Sequence, residues 1–304
     1  MSLQRTIVLL VLLVMLAVTP ATAQGRAPSL HFHVAPEMAE LAKRLEEGID
    51  RDALRRTQEL VGLDDAGDPI PVYLAAEGTP LAQVPSWVRG YVRGGNVVLL
   101  PARIPGYPDR SLEAVLVHEV AHVLIDRAAD NYPVPRWFHE GLALYAARGY
   151  VLEDRSRVLW STLRGDRSAI SRLEESFAEG PASAARAYAF SGAFVRFLID
   201  RYGRRLPAQL LAGAAEGRSF RTVFREITGN GLGTAEASFY KHVGFWNRWV
   251  PFLGSSTTVW ALITLLAVYA IKRRRERDAE IRDRWAEEEA RELLEHEPTD
   301  GWVN

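Results

Sequence analysis

The chain contains no cysteine among its 304 residues, which excludes disulfides, thiolate nucleophiles and cysteine-ligated zinc. Lysine is also scarce, with only Lys43, Lys241 and Lys272, and acidic and basic side chains nearly balance at a formal net charge of −1. The chain as a whole therefore offers no electrostatic reason to expect nucleic acid as a partner. Any metal site must be built from histidine and carboxylate side chains.

The amino terminus has the pattern of a secretory signal peptide. Arg5 precedes an apolar run from Ile7 to Val18, and Pro20-Ala21-Thr22-Ala23 follows. A short apolar core before an Ala-x-Ala sequence predicts a signal peptide over 1–23 that is cleaved after Ala23. The alternative is an uncleaved anchor, but the run has only about 12 residues, whereas a membrane span needs roughly 20.

A second apolar stretch lies near the carboxyl terminus. Residues from Pro251 to Ile271 include no charged side chain, and Lys272-Arg273-Arg274-Arg275 follows at once. Tryptophans before an apolar run and a basic cluster after it predict one transmembrane helix over 250–271, with its carboxyl end in the cytoplasm. The alternative is a buried core helix, because the strongly apolar part begins only at Val259.

The segment after this stretch, 272–304, is predicted to be a charged cytoplasmic tail. From Asp278 onwards it carries ten acidic residues against three arginines, which indicates a solvated helix or a disordered tail. A helix that binds a partner is the alternative. The two termini together place the protein in the cytoplasmic membrane, with residues 24–248 on the extracytoplasmic or periplasmic side.

Residues 24–248 show no internal repeat and no low-complexity linker, so they are predicted to form one domain. Strand patterns and one helical pattern come first, and helical patterns follow. The predicted strands are His31–Val34, Ile70–Ala75, Trp87–Arg93 and Asn96–Leu100. The predicted helices are 36–61, 112–129 after a Ser111 cap, 136–148, 155–164, 183–202, 206–215 and 235–247. Strands followed by helices predict an α+β fold with a small amino-terminal sheet.

The sequence His118-Glu119-Val120-Ala121-His122 carries the clearest chemical signal. Residues four apart lie on one face of a helix, so both imidazoles point the same way, and Glu119 lies beside them in angle. This arrangement suits a zinc ion with two histidine ligands and a carboxylate that takes a proton from water. The apolar residues around the motif support the required helical context.

A catalytic zinc site needs a third protein ligand and one open position. The candidates lie on the next predicted helix, where His139 and Glu140 are adjacent. Neighbouring helix residues point about 100° apart, so both side chains cannot face one ion well. Spacing alone leaves the choice between them open.

The sequence from His118 to Tyr145 resembles the gluzincin zinc metallopeptidases. An HExxH sequence followed by WxxEGxAxY is similar to this group, which includes thermolysin, and above all to bacterial peptidase MA-like domains. The resemblance implies a thermolysin-like catalytic core, a Zn²⁺ cofactor and Glu140 as the third ligand, with His139 lining the cleft. It also implies that a peptide substrate pairs with a sheet edge, for which Asn96–Leu100 is the natural match.

Two further residues are candidates for supporting roles. Asp126 lies four residues after His122 and is predicted to orient that histidine; the alternative is a solvated helix end paired with Arg127. The resemblance implies a later tyrosine or histidine that stabilises the oxyanion, and Tyr188 is the first choice ahead of Tyr202 and His242. A tyrosine that only packs in the core is the alternative for Tyr188.

These features predict a membrane-anchored zinc metallopeptidase that hydrolyses peptide or protein substrates, with Glu119 as the general base. The alternative function is a zinc-bearing extracytoplasmic binding or sensor module that does not turn substrate over. A binding module has no use for a general base, which favours the peptidase.

Overall fold

The computed structural model describes residues 27–104, 111–148, 158, 170, 173–177, 179–253 and 256–295. The predicted signal peptide, nearly all of the predicted helix over 155–164 and the end of the tail from 296 lie outside these residues. The chain divides into two compact units, Met1–Val243 and Gly244–Asn304, which are treated separately below.

The first unit contains a mixed four-stranded sheet. Its strands are β1 (Leu30–His33), β2 (Ile70–Leu74), β3 (Gly90–Arg93) and β4 (Asn96–Leu99). Their spatial order is β1-β2-β4-β3: β1, β2 and β4 are parallel, and β3 is antiparallel to β4. Gly94 and Gly95 both have positive φ, which provides the tight turn between β3 and β4.

Besides three short 3₁₀ helices (Pro36–Met38, Pro80–Ala82 and Pro101–Arg103), the described part of the chain has ten α-helices. They are α1 (Ala39–Gly48), α2 (Arg51–Val61), α3 (Leu112–Ala128), α4 (Arg136–Arg148), α5 (Leu173–Ser176), α6 (Pro181–Tyr202), α7 (Leu206–Ala215), α8 (Phe220–Thr228), α9 (Leu232–Leu253) and α10 (Ser256–Glu295). A small sheet with many helices confirms the predicted α+β class.

Helix α3 is the central element of the first unit. Ser111 caps it as predicted, since its hydroxyl accepts a hydrogen bond of 3.1 Å from the backbone N–H of Ala114. Ten of the eleven positions from Val115 to Ile125 are buried, the exception being His122, and they lie all around the helix, which packs against β3, β4 and α4. A helix buried on all sides holds its histidines in a fixed frame.

Helix α4 packs against α3 and, more extensively, against α6. The contact with α6 depends on Gly141, because a Cβ there would fall on the backbone carbonyl of Ser191 and 2.7 Å from a methyl of Val195. The close approach at Gly141 therefore belongs to the contact between α4 and α6.

The helices of the structure differ from the prediction in several places. The single helix predicted over 36–61 is two helices, because Ile49 is extended and Asp50 caps α2 by accepting a 2.9 Å hydrogen bond from the N–H of Ala53. Helix α8 was not predicted, although Ser219 caps its start and Gly229, with φ of 69°, ends it.

The second unit consists of the end of α9 and the long helix α10. Within the described residues, no helix has an apolar stretch long enough to cross a membrane, so the transmembrane helix predicted over 250–271 is not found. The apolar stretch is short, because α10 begins at Ser256 and reaches Lys272 after 16 residues, four of which precede Trp260. The large apolar side chains of α10 are nonetheless exposed to solvent. Trp260, Leu265 and Leu266 each have about two-thirds of their surface exposed.

The glycine contact between α4 and α6 generates a stability prediction. Gly141→Ala should lower the free energy of unfolding by about 1–3 kcal/mol, because the methyl group overlaps backbone that cannot move cheaply. Urea unfolding of the purified chain measures this change. Gly192→Ala in α6 is the matched control: its methyl would make ordinary contacts of 3.6 Å with Leu144, so stability should stay level or rise. Equal effects of the two substitutions would contradict this account of the packing.

Candidate metal centre

Helices α3 and α4 bring three predicted ligands together at one point. The Nε2 atoms of His118 and His122 are 3.1 Å apart. Glu140 Oε2 lies 3.7 Å from Nε2 of His118 and 3.3 Å from Nε2 of His122. His118, His122 and Glu140 therefore form a cluster whose ligand atoms could hold a metal ion.

The spacing of these atoms fits a tetrahedral zinc ion. Zinc bonds to nitrogen and oxygen of about 2.0–2.1 Å place tetrahedral ligands about 3.3–3.4 Å apart, and the three observed separations bracket that value. Among the described residues, Glu140 Oε2 is also a buried oxygen without a hydrogen bond of good geometry. A buried carboxylate oxygen without a hydrogen-bond partner indicates that a cation binds next to it.

The protonation states suit metal binding as well. Burial lowers the pKa of His122 to about 4, although the nearby carboxylate of Glu140 acts in the opposite direction. Burial alone would raise the pKa of Glu140, but the electrostatic interaction with His122 and His118 outweighs burial and holds this pKa well below its usual value. At neutral pH the histidine is therefore neutral and the carboxylate ionised, as ligands must be.

Glu119 lines the same cavity as the three ligands and contacts the edge of the sheet. Gly90 in β3 makes this contact possible, since a Cβ at Gly90 would lie 2.8 Å from Cγ and Oε1 of Glu119 and 2.9 Å from a methyl of Val115. The strand thus passes directly over the Glu119 carboxylate. Glu119 is only 6% exposed, so its carboxylate is held in one place.

Arg136 contacts the other oxygen of Glu140. Its Nε lies 3.6 Å from Glu140 Oε1, while Oε2 faces the histidines. The guanidinium also lies over the ring of Phe177, 4.6 Å from its centre. Arg136 therefore orients the carboxylate so that a single oxygen faces the metal position.

His139 points away from the cluster. Its Nδ1 lies 2.7 Å from Nδ1 of His122, on the side of that ring opposite the cluster, and its Nε2 lies 2.8 Å from Oδ1 of Asp126. Of the two candidates for third ligand, only Glu140 converges with the histidines. Asp126, which the sequence analysis placed directly against His122, contacts His139 instead, because the His139 ring lies between them.

The cluster opens into a cavity of about 880 Å³. Besides the residues above, the cavity is lined by Tyr91, Phe177 and Tyr188, and Tyr188 packs edge-on against Phe177 at 5.2 Å. Tyr202 and His242 do not line it: Tyr202 packs against Phe224, and His242 lies against Phe197. Of the three oxyanion candidates, Tyr188 alone shares a cavity with Glu119.

The strand beside the cavity is β3, whereas the sequence analysis assigned Asn96–Leu100 to this role. That assignment is wrong, because β4 lies inside the sheet and pairs with β2 on one side and β3 on the other. An added peptide strand needs a free edge. Within the described sheet, β3 is the edge strand next to α3, and Gly90, Tyr91 and Val92 line the cavity.

Two contacts of the site were not foreseen from the sequence. Arg136 and Glu140 are four apart on one helix, a spacing that favours an ion pair and could have revealed the contact. The contact between Gly90 and Glu119 joins residues far apart in sequence, so no local pattern indicates it.

The lowered pKa of His122 generates a prediction about metal-free protein. The pKa of this histidine is near 6.5 in the unfolded chain and about 4 in the folded chain. Between pH 6.5 and pH 4 the proton therefore binds mainly to the unfolded chain, so lowering the pH favours unfolding. Lowering the pH from 6.5 to 5 should therefore cost up to about 2 kcal/mol of unfolding free energy at this residue. Urea unfolding with chelator present measures it, with His122→Gln as comparison. An equally steep pH dependence in His122→Gln would contradict the assignment.

Comparison with known proteins agrees with this geometry. A family model described as the peptidase MA superfamily matches residues 51–244, which include the sheet strands β2 to β4 and helices α2 to α8. Neither a curated protein nor a solved structure matches the chain. Because the matched region covers more than half of the 304 residues, the chain belongs to the peptidase MA superfamily.

Proposed function

We propose that the chain is a zinc-dependent peptidase that hydrolyses peptide bonds in peptide or protein substrates. The observation that carries the proposal is the convergence of three ligand atoms at tetrahedral spacing in a cavity that Glu119 also lines. The membership of the peptidase MA superfamily supports the same reaction class.

His118, His122 and Glu140 are the residues proposed to hold the zinc ion. When bound, zinc would polarise the scissile carbonyl and make water a stronger acid at neutral pH. The protein contributes a fixed ligand frame: both histidines come from one turn of α3, and Arg136 holds the carboxylate of Glu140 from the side.

Glu119 is proposed as the general base. Its carboxylate accepts a proton from the attacking water and later returns that proton to the leaving amine. Gly90 and Val115 confine the side chain, so the proton acceptor is in position before substrate arrives.

The substrate is proposed to bind as an extended peptide along β3. The outer edge of β3 borders the cavity, so its backbone N–H and C=O groups are placed to pair with a peptide backbone. Tyr188 lines the same cavity and is proposed to donate its hydroxyl hydrogen to the oxyanion formed at the carbonyl.

Removal of the proposed base tests the mechanism. Glu119→Gln keeps the shape of the side chain but cannot accept the proton, so kcat/KM should fall by about 10²- to 10⁴-fold. Zinc content should stay near one ion per chain, because Glu119 is not among the proposed ligands. Cleavage of a quenched fluorescent peptide library and metal analysis of the purified full-length chain measure both quantities.

Glu113→Gln is the matched control for this substitution. Glu113 lies in the first turn of the same helix, is exposed and does not line the cavity, so its substitution should leave turnover unchanged. The proposal fails if Glu119→Gln cleaves peptides as fast as the unsubstituted chain. Peptide binding without turnover in the unsubstituted chain would instead support the binding or sensor module.

The exposed apolar part of α10 supports a further proposal about location: the chain attaches to the cytoplasmic membrane through this helix. Eight large apolar side chains between Trp260 and Ile271 are about half or more exposed, and they lie all around the helix. A contiguous apolar surface of this kind is rare on a protein in water. Lys272–Arg275 follows directly and provides the positive charge that anionic headgroups attract.

Sedimentation with lipid vesicles tests the attachment. The full-length chain should pellet with vesicles that contain phosphatidylglycerol, and Leu265→Asp should weaken binding because it places a charge in the apolar surface. Leu81→Asp is the matched control, since Leu81 is an exposed leucine of the first unit. A chain that stays in the supernatant with every vesicle composition would overturn the proposal.

A further inference from the structure

His122 is the first of three groups joined by short contacts that lead away from the metal position. Nδ1 of His122 meets Nδ1 of His139 at 2.7 Å, and Nε2 of His139 meets Oδ1 of Asp126 at 2.8 Å. The two imidazole rings are nearly parallel, with an interplanar angle of 11°. His122 in α3 thus contacts His139 in α4, and His139 contacts Asp126, which lies one turn after His122 in α3.

We infer that His139 and Asp126 are positioning residues that fix which nitrogen of His122 is free to bind the metal. The inference rests on the metal site of the proposed function and adds two residues that do not touch the ion.

Asp126 determines where the hydrogens of these contacts lie. An ionised carboxylate has no hydrogen to donate, so the hydrogen of the 2.8 Å contact sits on Nε2 of His139. In its neutral form the His139 ring carries a single N–H, so a hydrogen on Nε2 leaves Nδ1 as an acceptor. In this arrangement the hydrogen of the 2.7 Å contact belongs to Nδ1 of His122.

The consequence for His122 is a single tautomer. With its hydrogen on Nδ1, its Nε2 has a free lone pair, and this is the atom that lies 3.1 Å from His118 and 3.3 Å from Glu140. Outer partners of metal-binding histidines usually fix the tautomer and ring orientation in this way. Here the partner of the ligand is a second histidine, and the carboxylate acts through it.

The side chains of the two positioning residues differ in their exposure to solvent. The side chain of His122 is 12% exposed, that of His139 21% and that of Asp126 46%. Solvent screens the Asp126 contact more than the contact between the rings. Loss of the acceptor on His139 should therefore weaken metal binding more than loss of the charge on Asp126.

The experiment compares two substitutions of equal shape in the purified full-length chain. His139→Asn keeps an acceptor atom at the position of Nδ1, whereas His139→Leu has the same branching and no acceptor. Zinc affinity is measured by competition with a chromophoric chelator. His139→Leu should raise the zinc dissociation constant by about 10- to 100-fold. The increases for His139→Asn and for Asp126→Asn should both be smaller.

Two controls distinguish the proposed effect of His139 on zinc binding from a purely structural role. His242→Leu removes an exposed histidine that does not line the cavity and should leave zinc affinity unchanged. The melting temperature of the metal-free chain should not follow the order of zinc affinities. In zinc-loaded chain labelled with ¹⁵N-histidine, the NMR signals should place a hydrogen on Nδ1 of His122.

Equal zinc affinities for His139→Leu and His139→Asn, or a hydrogen on Nδ1 of His139 instead of Nδ1 of His122, would overturn the inference. These measurements need no turnover, so they are independent of the peptidase test. If Glu119→Gln keeps full hydrolysis while the zinc affinities follow the expected order, the proposed mechanism fails and the positioning inference stands.

Discussion

The site depends on one unfavourable arrangement: the buried carboxylate of Glu140 faces His118 and His122 across the α3–α4 contact. Such a group is costly to bury unless a cation or several hydrogen bonds compensate it. The protein fixes this arrangement with apolar packing, since α3 is buried on nearly all sides and α4 is held against α6 by the close approach at Gly141. The surrounding core therefore holds the ligands at tetrahedral spacing against their own electrostatic cost.

The rest of the site is organised around the same two helices. Helix α3 carries the general base next to the first histidine, and the edge strand β3 passes over that base at Gly90. Helix α4 carries the groups that hold the ligands from outside, Arg136 on Glu140 and His139 on His122. Each proposed chemical step thus uses a side chain whose position is set by contacts in the core of the first unit.

Local patterns in the sequence predicted the parts of the structure that depend on local physics. The HExxH spacing, the Ser111 cap and helices such as 206–215 follow from helix periodicity and capping, and the structure has them. The break at Asp50 and helix α8 also have capping signals, which were overlooked. Contacts between distant segments could not be predicted: the order of strands in the sheet, the crossing of Gly90 over Glu119 and the insertion of His139 between His122 and Asp126 are all set by tertiary packing.

The central claim is that one zinc ion binds between His118, His122 and Glu140. X-ray absorption at the zinc edge, combined with an anomalous difference map from crystals of the zinc-loaded chain, tests it most directly. The account predicts one strong peak with two nitrogen ligands and one carboxylate oxygen at about 2.0–2.2 Å. A peak ligated by His139, or zinc bound only elsewhere on the chain, would contradict it.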